Sequence, residues 1–109
     1  MDEANRSNAK TQTDALESHF QKIIEQMDDP FTFHGFVLLL AKKHQREYIG
    51  ALVEHRDKDT PFRALHAELE RRLHSNADRY GIHLLSSEYP SSDIFGSSSS
   101  CGQWQKIKP

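Results

Sequence analysis

The stretch TPFRALHAELERRLHSNADRYGIHLL, residues 60–85, limits what this chain can fold into more than any other part. Thr60 is placed to accept a hydrogen bond from a free N–H of a first helical turn, and Pro61 stands where its missing N–H and fixed φ do no harm. With successive residues 100° apart, Phe62, Leu65, Leu69, Leu73, Ala77 and Tyr80 fall on one apolar stripe, while Arg63, Glu68, Glu70, Arg71, Arg72 and His74 turn away from it. Glu68–Arg72 and Glu70–His74 are i,i+4 pairs in the favourable order, each contributing about 0.3 kcal/mol at an exposed surface. Gly81 follows as a C-terminal cap, and Ile82-His83-Leu84-Leu85 reads as a strand leaving the helix.

A second amphipathic helix begins at Thr13 or Asp14. Leu16, Phe20, Ile23, Ile24 and Met27 share a stripe, and Asp28-Asp29-Pro30 ends it. Residues 1–12 are small, polar and aperiodic, so a disordered tail is expected there, with a single globular domain over 13–109.

Residues 31–56, FTFHGFVLLLAKKHQREYIGALVEHR, admit two readings. The polar run from Lys42 to Glu47 points in every direction around a helix axis, which argues against one continuous helix. A β-hairpin with strands near 33–41 and 48–54 is favoured, because Gly35 and Gly50 each cost a helix about 1 kcal/mol and Phe, Val, Tyr and Ile suit strands. Two short helices are the alternative. Ser86–Gly102, SSEYPSSDIFGSSSSCG, is predicted to be a flexible loop, and Gln103–Lys108 a last strand.

The expected fold is therefore α+β: two amphipathic helices packed on a small antiparallel sheet, in the order α-β-β-α-β-β. Ala15-Leu16, Phe20, Lys22 and Ile24 align with Ala64-Leu65, Leu69, Arg71 and Leu73 at an offset of 49, a match compatible with a duplication and equally with any two amphipathic helices. With two helices over 31–56 the chain is instead mainly α. Its element order then resembles the helix-plus-wing layout of winged-helix DNA-binding domains, with residues 60–79 as recognition helix and 86–102 as wing.

The formal charge is −2, with 7 Asp/Glu against 3 Lys/Arg over residues 1–30 and 9 Lys/Arg against 7 Asp/Glu over 31–80, so the centre is mildly basic and the start acidic. One cysteine, Cys101, cannot build an internal disulfide and fits a reducing, cytoplasmic setting. No apolar run approaches the roughly 20 residues of a spanning helix, and no targeting segment is expected.

Seven histidines invite a metal reading, yet neither HExxH nor CxxC occurs, and a site built from residues distant in sequence is invisible at this level. His66, on the apolar stripe, is expected to be a buried, hydrogen-bonded histidine. Nucleophile elbows, phosphate-cradling loops and dinucleotide fingerprints are absent, so neither an enzyme nor a cofactor is expected. For nucleic acid, the possible phosphate contacts are Lys42, Lys43, Arg46, Arg63, Arg71 and Arg72. The favoured reading is a non-enzymatic regulatory or inhibitory protein-binding module with anchors Phe31, Phe33, Ile94, Phe95 and Trp104. It would bind another protein or a second copy of itself.

Overall fold

A computed structural model describes residues 11–107. The proposed tail falls mostly outside that range, but Gln12 already belongs to the first element, α1 (Gln12–Glu17), and Thr11 caps it. Thr11 forms a capping box: its hydroxyl accepts from the Asp14 N–H at 2.9 Å, and the Asp14 carboxylate accepts from the Thr11 N–H at 3.2 Å. The chain breaks at Ser18 and His19, then continues as α2 (Phe20–Gln26). Leu16, Phe20, Ile23 and Ile24 are buried as the stripe requires.

Residues 31–56 do not form a hairpin. Phe31–Thr32 is a two-residue strand, β1; Phe33–Lys43 is helix α3 and Gln45–Glu54 is helix α4. Thr32 caps α3 by accepting from the Gly35 N–H at 3.1 Å. Phe33, Phe36, Val37 and Leu40 then enter the core at i, i+3, i+4 and i+7. The polar run breaks the helix as expected, but at a corner, where His44 (φ −132°, ψ 60°) ends α3 and opens α4. Gly50 lies inside α4 for a packing reason: a Cβ there would stand 2.6 Å from Cγ of Gln12, so the glycine lets α1 lie close against α4. Glu54 completes that contact, accepting from the N–H groups of Gln12 and Thr13 and from the Thr13 hydroxyl at 2.7 Å.

The long amphipathic helix is α5 (Pro61–Ser75), with Leu65, Leu69 and Leu73 fully buried. At about 1.5–3 kcal/mol for each buried leucine, this stripe is a major source of stability. Thr60 contributes no side-chain cap; its carbonyl accepts from Ala64 N–H instead. A break at Asn76 separates the one-turn helix α6 (Ala77–Tyr80), which Gly81 closes in the left-handed conformation at φ 69°.

The serine-rich stretch expected as a loop is a hairpin, β2 (Ile82–Ser92) and β3 (Ser98–Lys106). Its turn is built by Asp93, whose Oδ1 accepts from the N–H groups of Phe95 and Ser97, each at 2.9 Å. The sheet is antiparallel in the order β1-β3-β2, with Phe31 opposite Trp104 and Leu84 also opposite Trp104. The order α-β-β-α-β-β is therefore not realised, and neither is a duplication, since only the second half places two strands after its helices. What stands is a small α+β domain of helices and a three-stranded antiparallel sheet.

Candidate interaction face

The start of α5 and the turn of the β2–β3 hairpin meet. The ring of Phe95, from the turn, stands edge-on to that of Phe62, from the first turn of α5, with centroids 4.9 Å apart. Both remain open to solvent, Phe62 at 42% and Phe95 at 61%. Ile94 beside them is partly buried against the core. Phe62, read from the sequence as core, lies in the first turn of α5 ahead of the buried leucines and packs against Phe95 at the surface.

Behind this pair lies a polar cluster. Phe62 contacts His66 one turn on, and His66 Nε2 lies 2.6 Å from the Tyr48 hydroxyl of α4. Burial pushes the His66 pKa down to about 4, helped by the nearby His34 ring and opposed by Asp93. Burial likewise raises the Tyr48 hydroxyl to about 12. Both groups are neutral near pH 7, so the expectation of a hydrogen-bonded histidine on the apolar stripe agrees with the geometry.

The other proposed aromatic anchors are not available. Phe31, Phe33 and Trp104 are buried in the core, at 3%, 3% and 1% exposure, because Phe31 and Trp104 face one another across the sheet and Phe33 starts the α3 stripe. Of the five, Ile94 and Phe95 lie at the hairpin turn.

The proposed cationic set is similarly divided. Arg72 is committed to the fold: it donates to Glu68 at 2.7 Å, Asp14 at 2.8 Å and Glu17 at 3.0 Å, tying α5 to α1. Arg71 pairs with Glu68 at 2.5 Å. Arg63 is exposed near Phe62, and Lys42, Lys43 and Arg46 are exposed at the α3–α4 corner. Residues 82–105 contain neither Lys nor Arg, so the hairpin brings no cation to the face. Glu70 faces the hairpin too, its carboxylate accepting from Gly102 N–H at 3.1 Å in place of the expected partnership with His74.

Elsewhere, Cys101 is buried, which raises its thiol pKa and leaves it without the activation a nucleophile needs. An open hollow of about 290 Å³ is lined by Ile24, Tyr80, Gly81, Lys106 and Ile107, away from the aromatic pair. Among the described residues one set of metal-capable side chains converges, His19, His44 and Glu47, with ligand atoms within 4.8 Å of one another. Sequence reading missed it because the three come from two separate helix breaks. Among the described residues no helix is long and apolar enough to cross a membrane. Compared with protein-family models, with curated proteins and with solved structures, the chain matches none of them.

Proposed function

We propose that this chain is a non-enzymatic protein-binding module, in which Phe62 and Phe95 enter an apolar cleft of a partner protein as a single wedge. The observation behind this reading is the pairing of two large exposed aromatic rings from different elements, held by a helix start on one side and a hydrogen-bonded turn on the other. Aromatic side chains on a rigid support lose little conformational entropy on binding and dominate the energetics of many interfaces. The element order, helices followed by an α5–hairpin unit with β1 joining the far side of β3, is close to a helix-plus-wing layout. Such a layout also serves nucleic acid. Electrostatics favours a protein partner: Arg72 is occupied, Arg71 shares Glu68, Asp93 stands in the turn beside Phe95, and residues 82–105 of the hairpin carry neither Lys nor Arg.

The test is affinity capture of the tagged chain from its source lysate, with and without nuclease, using wild type, Phe62→Ala/Phe95→Ala and Arg63→Ala. A stoichiometric protein partner that survives nuclease, is retained by Arg63→Ala and is weakened about 30-fold or more in the double aromatic variant supports the reading. Capture that vanishes with nuclease, or that ignores the loss of both rings, overturns it. If the partner is a second copy, the wild type sediments as a dimer and the double variant as a monomer.

A further inference from the structure

We propose that His19, His44 and Glu47 form a binding site for a late first-row divalent cation, of which zinc is the representative chemistry. The site is independent of the aromatic face. Two imidazoles and one carboxylate are a donor set that suits zinc and its neighbours in the series, and hard ions such as magnesium and calcium prefer all-oxygen surroundings.

The fold brings His19 to a neighbouring pair, His44 and Glu47, from a separate part of the chain. His19 is the residue at which the α1–α2 helix breaks, and His44 is the corner between α3 and α4. Glu47 lies in the first turn of α4, three residues beyond His44, so the two project from the same side of that turn. His19 Nε2 already stands 3.7 Å from Glu47 Oε2. Donor atoms held about 2.0–2.2 Å from a tetrahedral ion lie about 3.4 Å apart, so the existing spread, at most 4.8 Å, closes by side-chain rotation alone.

The two imidazole rings are stacked, with centroids 3.6 Å apart and planes 7° from parallel. Lone pairs in parallel planes do not converge on one ion, so one ring must turn about its Cβ–Cγ bond on loading. The side chains of His19 and Glu47 are 29% and 33% exposed, which leaves room for that turn. Three protein donors leave at least one coordination position for water, the arrangement of an open site. Lys43, adjacent to His44, opposes a dication and keeps the affinity moderate. Once bound, the ion would join the α1–α2 break to the α3–α4 corner. It would then stabilise the folded chain in proportion to its occupancy.

The test uses the full chain, titrated with zinc chloride by calorimetry and with cobalt(II) by visible absorption. The expected result is a single equivalent of zinc, cobalt bands typical of nitrogen and oxygen ligation at low coordination number, and a melting temperature that rises with zinc. His19→Ala and His44→Ala should each weaken binding about tenfold or more, and so should Glu47→Gln, which keeps a good helix former in place. His83→Ala, at an exposed strand position, should bind as wild type does. Absence of heat and of cobalt bands up to about 1 mM metal overturns the site. So does binding that survives all three substitutions, which would mark adventitious coordination elsewhere on the surface. Far-UV circular dichroism of each variant separates loss of a ligand from loss of the fold.

Discussion

The Tyr48 hydroxyl and His66 Nε2 meet at 2.6 Å, joining α4 to α5 directly beneath the exposed Phe62 ring. The burial of His66 at this contact makes stability depend on pH. The folded-state pKa of His66 is about 4 and its ordinary value is 6.5, so between those values the unfolded chain binds the proton and the folded chain does not. Stability is therefore complete above about pH 6.5 and falls as pH drops through the window. The full shift corresponds to about 3 kcal/mol, and partial solvation of the ring reduces the expected loss to about 1–2 kcal/mol by pH 4. His44, whose pKa burial and the His19 ring also lower, adds to the loss with the same sign. Urea unfolding at pH 5 and pH 7 measures it, and His66→Gln should remove most of the difference. Equal stability of the wild type at the two pH values would contradict the burial described.

Trp104 and Phe95 should respond in opposite ways. Trp104, at the centre of the sheet, should cost about 3–5 kcal/mol on replacement by alanine. Phe95→Ala should cost less than about 1 kcal/mol, because its ring is mostly in solvent, and its effect should appear in partner capture instead. Denaturant midpoints of the two variants compare them directly.

Arg72→Ala leaves Asp14, Glu17 and Glu68 facing one another without their shared cation. Hydrogen bonds from Arg72 hold the Asp14 carboxyl below its usual range, so the arginine is a favourable neighbour to the charged form. A loss of about 1–3 kcal/mol is expected for this partly buried network, smaller at high salt. Arg72→Lys should recover only part of it, since one ammonium cannot reproduce contacts made by Nε and a separate terminal nitrogen. Chemical denaturation at low and high salt tests both statements.

Gly81→Ala isolates a backbone effect. The residue sits at φ 69° with open space around a would-be Cβ, so the cost is conformational, about 1 kcal/mol. Gly81→Asn should cost less, because asparagine tolerates the left-handed region. A thermal melt of the pair reads the difference.

The α5 stripe, the α1–α2 stripe and the Gly81 cap were legible because each buries one face of a helix, and that periodicity survives in sequence. The misreading of 31–56 came from giving Gly35 and Gly50 their average helix penalty. Gly50 is needed where Gln12 approaches, a fact that belongs to a neighbour 38 positions away. The spacing of Phe33, Phe36, Val37 and Leu40 was the signal for the helix, and it also removes Phe33 from the surface. The hairpin escaped notice for another reason. Beyond Leu84 most of its residues are exposed on both faces, so hydrophobic alternation, the usual mark of a strand, has nothing to record there. Phe62 and Phe95 could not be paired from sequence because their contact depends on that hairpin.

In the order β1-β3-β2, the central strand is also the last described element to leave the ribosome. Until it arrives, Phe31 has no strand opposite it and β2 has only one possible neighbour, which does not yet exist. Helices can form earlier from local contacts, but the sheet must wait for β3. A helical layer formed ahead of β3 would leave Phe31 and Leu84 without the Trp104 ring that lies opposite both of them.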